Sequence, residues 1–277
     1  MHRHLYILFV ALPLATLTAA EPKPSPAKNE PTNAAEAAAK KAAEDRALDA
    51  QYQKWKAGLS PAQQAWETVL EQNLGGFYLP IHKREKVAGK SNAWDFVADD
   101  AKLPRVLLIG DSVSRGYTLA ARKALAGKAN VHRAPENCGP TANGLKKLEV
   151  WLGGGKWDVI HLNFGIHDRA TKPADYEQRL EAIVTRLKTT GARVIWASTT
   201  PVPPDTKDGP AATAAIEEKN RIAAQVAAKH QLATDDLFAF ITPHLGKVQN
   251  PKDVHFTGEG YELLGKQVAE AVLKALK

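Results

Sequence analysis

One cysteine, Cys138, stands in a chain of 277 residues, and that scarcity excludes a disulfide framework within the chain. Stability must therefore come from a buried core, and an apolar content of 44% is ordinary for a globular protein that builds one. Long hydrophobic runs are missing too. The N-terminal apolar stretch from Leu5 to Leu17 contains Pro13 and falls short of the roughly 20 residues that a membrane span needs. With Arg3 before it and Thr18-Ala19-Ala20 after it, this stretch reads as a secretion signal cleaved after Ala20. The expected location is periplasmic or extracellular, with no stable membrane insertion after cleavage and, with no Cys near the cleavage site, no lipid anchor. Charge of one sign is not concentrated either. The 37 Lys and Arg exceed the 30 Asp and Glu by seven, but they are spread along the chain beside acidic residues. That pattern describes a solvated basic surface and argues against a nucleic-acid partner. No internal repeat and no His/Cys cluster at metal-ligand spacing is present, so no metal and no cofactor is expected.

What is there begins with a Pro-, Lys- and Asn-rich linker over residues 21–33. An N-terminal helical extension is expected over 34–102. Its first part, Ala34 to Ala50, is rich in Ala, Lys and Glu and has almost no large apolar face. Ser60-Pro61-Ala62-Gln63 is a helix start, with Ser as cap, Pro in the first turn and Gln three residues on. Trp66, Val69, Leu70 and Leu74 then recur at helical spacing, and Gly75-Gly76 is expected to end that helix. Phe77 to Lys102 reads as an irregular connection.

From residue 103 to 277, strands and helices alternate. Arg105 to Ile109 holds a continuous apolar run, the signature of a parallel strand buried on both faces. Further strands are expected at Ala129–Arg133, Asp158–Asn163, Arg193–Ser198 and Leu232–Asp235. Helices are expected at Leu119–Ala126, up to Trp151, at Ala174–Thr189, Ala211–His230 and Gly258–Leu276. Five strands alternating with helices imply a parallel sheet of α/β class, covered on both faces by right-handed crossovers.

The chemically suggestive residues all follow predicted strands or precede the last helix. Ser112 follows the first strand, Asn137-Cys138-Gly139 the second, and Gly165-Ile166-His167-Asp168 the third; Asp253 and His255 lead into the final helix. In a parallel sheet these points converge on one edge. A Ser hydroxyl is a poor nucleophile until a neighbour takes its proton, and an imidazole suits that task. Ser112 is therefore the candidate nucleophile and His255 the candidate base. Asp253, two residues earlier, could orient the ring in an extended segment. The oxyanion that forms on the attacked carbonyl needs preorganised donors. Ser112 N–H, Gly139 N–H and the His167 ring are the candidates.

Gly110-Asp111-Ser112, the Gly in the second loop, Gly165-x-His167-Asp168 and Asp253-Val254-His255-Phe256-Thr257 resemble the SGNH (GDSL-type) hydrolases. The resemblance covers about Leu103 to Lys277 and implies a flavodoxin-like three-layer α/β/α sandwich. It also implies a metal-free Ser hydrolase acting on esters. Two blocks depart from the family pattern. His167 stands where an Asn usually donates to the oxyanion, and Asn143 or Asn163 could supply an amide instead. Lys252 stands where the last block usually has Asp, so either Asp253 serves from a shifted loop or a Ser–His dyad leans on a backbone carbonyl. The expected function is an exported carboxylic-ester hydrolase, with O-acetyl groups on carbohydrates as substrate. Lysophospholipase, thioesterase, aryl-esterase and acetyl-transfer activities share the same acyl-enzyme, and a decayed glycan-binding domain is the rival from another class. Two decoys fall away: Gly153-Gly154-Gly155-Lys156 has Trp157 where a phosphate loop has Ser or Thr, and Ser112 lacks the Gly-x-Ser-x-Gly elbow.

Overall fold

A computed structural model describes residues 33–203, 205–206 and 209–277. The expected secretion signal and the linker through residue 32 lie outside the described residues. The described chain enters through three helices, α1 (Asn33–Ala57), α2 (Pro61–Asn73) and α3 (Gly75–Val87). Ser60 caps α2 through the reciprocal pair with Gln63 that its sequence predicts. The expectation for Phe77–Lys102 is corrected over its first part, where α3 runs to Val87. Gly75, with φ of 67°, turns the chain from α2 into α3 within one residue, so the two glycines make a corner between helices.

A buried polar network ties these helices together. Tyr52 of α1 donates its hydroxyl to Glu67 of α2 at 2.6 Å, and His82 Nε2 of α3 lies 2.7 Å from the same carboxylate oxygen. The other His82 nitrogen accepts from the Asn92 amide at 3.0 Å, and Asn92 Oδ1 accepts from Trp94 N–H at 2.9 Å. Each of these groups finds a partner, which is the condition for burying polar atoms, while the buried indole N–H of Trp94 has none among the described residues. The outcome is a fixed Trp94, fully buried against Leu70 and Leu74.

The remaining elements alternate as expected: β1 (Arg105–Ile109), α4 (Ser112–Ala124), β2 (Asn130–Arg133), α5 (Thr141–Leu152), β3 (Val159–Leu162), α6 (Pro173–Lys188), β4 (Arg193–Ala197), α7 (Gly209–Lys229), β5 (Ala233–Asp235), α8 (Leu237–Ile241), α9 (Leu245–Val248) and α10 (Gly258–Leu276). The five strands are all parallel, in the order β2-β1-β3-β4-β5. Side chains alternate across the sheet. Val106 and Leu108 join a core with α4 and α10, whereas Leu107 and Ile109 join one with α5, α6 and α7. This is the three-layer arrangement that the sequence implies. The chain order reverses between β1 and β3, which opens a crevice beyond the strand ends at that point. No helix among the described residues is long and apolar enough to cross a membrane.

Candidate active site

Asp111 leaves β1 in an extended conformation and accepts Val113 N–H on Oδ1 at 2.9 Å, which starts α4 at the very next residue. The helix therefore begins at Ser112, seven residues earlier than the periodicity from Leu119 suggests. Gly116, which precedes the expected helix, lies inside α4. A Cβ there would fall 2.0 Å from the Tyr261 ring, so only glycine lets α10 pack this close.

Residues 249–257 present His255. Gln249 pairs with Phe256 in an antiparallel bridge, Asn250 N–H donates to His255 O at 2.9 Å, and Thr257 N–H donates to Val248 O at 2.8 Å. Lys252 takes a left-handed φ of 57° at the tip, exposed, which hands the next position to Asp253. His255 Nδ1 lies 2.7 Å from Asp253 Oδ1, and its Nε2 lies 2.8 Å from Ser112 Oγ. With Nδ1–H donating to the carboxylate, Nε2 is left as acceptor for the Ser112 hydroxyl. Residues separated by 143 positions thus meet in one hydrogen-bonded line. Of the two alternatives for the last block, Asp253 is the group within reach of the imidazole.

The buried His161 does not compete with His255. His161 on β3 is fully buried with Nε2 3.0 Å from Asp235 on β5, which also accepts from Gln267.

The loop after β2 carries Gly139 at φ of 64°. Cys138 N–H donates to Gly110 O at 3.2 Å, which lays this loop alongside the start of α4. Gly139 N–H and Ser112 N–H have no acceptor among the described residues. His167 is exposed in a short 3₁₀ turn, Ile166–Asp168, with no hydrogen bond to its ring among the described residues. The two fallback amides are corrected. Asn143 Nδ2 donates to Glu136 at 2.9 Å and Cys138 O at 3.0 Å, and Asn163 Nδ2 donates to Ala197 O at 2.9 Å and Thr199 Oγ1 at 3.2 Å. Both hydrogens of each amide are spent on holding loops, so neither is available to a substrate.

Sequence reasoning missed Arg133. This residue at the end of β2 is 1% exposed and donates to Ser114 Oγ at 2.6 Å, Gly110 O at 2.9 Å and Asp111 O at 2.8 Å. It grips the turn on both sides of Ser112 from beneath. The strand Asn130-Val131-His132-Arg133 is itself polar at three of its four positions, so no break in an apolar pattern marked Arg133. Cys138, beside it, is fully buried, and burial pushes its thiol up to about 12, which makes it a packing residue. Among the described residues, no group of three or more His, Cys, Asp or Glu could hold a metal ion.

The family model described as GDSL-like Lipase/Acylhydrolase matches residues 108–263. Solved structures share the fold. A lipase/acylhydrolase from Enterococcus faecalis is 24% identical, with a TM-score of 0.54, over 63% of this chain and 97% of that one. The acetyl xylan esterase AlAXEase is 15% identical at a TM-score of 0.54, over 61% of this chain and 99% of that one. Axe2, an acetylxylan esterase from Geobacillus stearothermophilus, is 16% identical at a TM-score of 0.51, over 62% of this chain and 94% of that one. No curated protein sequence matches significantly.

Proposed function

The chain belongs to the GDSL-like lipase/acylhydrolase family, the SGNH hydrolases, whose members hydrolyse esters, and on that premise we propose an exported serine esterase that removes O-acetyl groups from carbohydrates. The observation that carries the reading is the line Asp253–His255–Ser112, with both links at 2.7–2.8 Å. Ser112 Oγ attacks the acetyl carbonyl carbon while its proton passes to His255 Nε2. Asp253 holds the ring in the required tautomer and stabilises the imidazolium. The negative oxygen of the tetrahedral intermediate is received by Ser112 N–H and Gly139 N–H, with His167 as a third donor. Collapse breaks the ester C–O bond, and His255 returns the proton to the departing sugar hydroxyl. Water then attacks the acetyl-Ser112 ester, its proton passing to Nε2; the bond between the acyl carbon and Ser112 Oγ breaks, His255 returns the proton to Oγ, and acetate is released.

Two observations support the acetyl and carbohydrate parts of this reading. Structures named as acetyl xylan esterases share the fold. The N-terminal signal pattern favours substrates outside the cytoplasm. The test is labelling with a fluorophosphonate, followed by a panel of acetylated sugars, longer acyl esters and acyl thioesters. The expected result is an adduct on Ser112 that Ser112→Ala abolishes, with the fastest turnover on acetylated sugars. No adduct on folded protein favours a glycan-binding role without catalysis. Faster turnover of long acyl esters or thioesters overturns the substrate assignment.

A further inference from the structure

Arg115 lies on the first turn of α4, three residues beyond Ser112, so both side chains rise from one face of the helix. Its guanidinium is half-buried over two aromatic rings, 5.4 Å from the centre of Tyr78 and 5.8 Å from that of Trp94. It also stands close enough to Tyr261, on the first turn of α10 after the His255 loop, to oppose the upward shift that burial gives that phenol. Arg115 thus borders both segments that meet at the Ser112–His255 hydrogen bond.

The Arg115 guanidinium, seated on ring faces beside the nucleophile, has no polar partner among the described residues. Arg105 and Arg186 pair closely with carboxylates, whereas the Arg115 guanidinium makes no ion pair among the described residues and its buried Nε has no hydrogen bond. Ring faces attract the cation without consuming its N–H donors. The carboxylates of the rim are committed elsewhere: Asp111 to Val113 N–H, Asp253 to His255, Asp168 to Thr141, and Glu136 to Asn143 and Trp151. Glu259, exposed on the first turn of α10, is the exception. On the other side of the balance, Lys252 is exposed beside Asp253, and Arg169 follows Asp168 without an ion pair among the described residues. A half-buried guanidinium with unused donors, next to a nucleophile, is suited to bind an anion, and its planar fork matches a carboxylate.

We propose that Arg115 binds a carboxylate on the substrate, so that the preferred ester is an O-acetylated acidic sugar. This rests on Ser112 being the nucleophile of an esterase. The segment before the first strand contributes by seating the guanidinium on Tyr78 and Trp94, which gives the N-terminal helices a part in substrate selection.

The test compares two acetylated substrates that differ only in charge, a methyl uronoside and its uronic methyl ester. Wild type, Arg115→Met and Arg115→Lys are measured, each checked for folding by its thermal melt. The wild-type kcat/KM is expected to favour the acid by about ten- to a hundredfold, carried in KM, as for a hydrogen bond to a charged group. Added salt should shrink that preference. Arg115→Met should remove the preference, and Arg115→Lys should keep part of it. Equal kcat/KM for the two esters in wild type overturns the proposal, as does an unchanged preference in folded Arg115→Met. Should Arg115→Met fail to fold, the wild-type ratio and its salt dependence decide. An acetylated sugar phosphate outperforming the uronoside overturns the carboxylate assignment. Hydrolysis of both esters without an acid preference sinks this inference alone. No hydrolysis of either, together with no fluorophosphonate adduct on Ser112, sinks the esterase reading beneath it.

Discussion

The Asp168 carboxylate receives both the backbone N–H and the hydroxyl of Thr141, each at 2.8 Å, and so ties the turn after β3 to the first residue of α5. The residue before α5 is Pro140, whose side chain cannot cap a helix, so the cap arrives from a different strand. A buried carboxylate at a helix N-terminus is also favoured by the helix dipole. Gly139 stands two residues before Thr141, and this one carboxylate therefore fixes the loop that carries a proposed oxyanion donor.

Asp168→Ala leaves two buried polar groups of Thr141 without an acceptor, a loss of about 3 kcal/mol. For a domain of this size that is about 6–12 °C in Tm. Asp168→Asn, which keeps one acceptor oxygen, should lose about half as much. An unchanged thermal melt for the alanine variant would show that the Thr141 groups find other partners.

Asp253→Asn should lower kcat by about 10³–10⁴-fold, because the amide no longer favours the tautomer that leaves Nε2 as base. Fluorophosphonate labelling of Ser112 should slow in parallel. Stopped assays of turnover and of labelling on both proteins check this, and a rate indifferent to Asp253→Asn would favour the dyad.

Arg133→Lys replaces a fork that holds Ser114 Oγ, Gly110 O and Asp111 O with a single ammonium. A small shift of the turn carrying Ser112 should cost kcat about 10- to 100-fold with little change in KM. Steady-state kinetics on the purified variant separate the two constants.

Gly116→Ala drives a methyl group into the Tyr261 ring and should cost about 1–3 kcal/mol. Tyr261→Ala removes the obstruction. The double variant should therefore be more stable than the sum of the singles predicts, by about 0.5–3 kcal/mol of coupling. Denaturant melts of all four proteins complete that cycle.

Cys138 should resist thiol reagents at pH 8, because burial pushes its thiol up to about 12 and closes access. Reaction should begin only as denaturant opens the fold. Rapid modification of the native protein would contradict the packing described here.

The alternation of apolar strands with helices was written in the chain, because a strand buried on both faces leaves a continuous run such as Val106 to Ile109 that no loop would carry. The start of α10 at Gly258 was legible for the same local reason, an amphipathic stripe, and the structure adds Thr257 as its cap. α3 was not legible: two glycines and Pro80 lie within its first turns, and its buried side chains are His82 and Lys86, which carry no apolar periodicity. The true start of α4 was hidden by Gly116, whose reason for being glycine is a ring on α10, far away along the chain.

The sequence by itself determined which residue types stand at the strand ends, and in what order: Ser112, then Gly139, then the block at His167, then Asp253 and His255. Only the tertiary structure decided who partners whom. It set Asp253 against His255, spent the Asn143 and Asn163 amides on loops, brought Arg133 beneath the nucleophile turn and left Arg115 on two aromatic rings. The physical reason is that a hydrogen bond depends on a few tenths of an ångström between groups scores of residues apart, and local propensity carries no record of that distance.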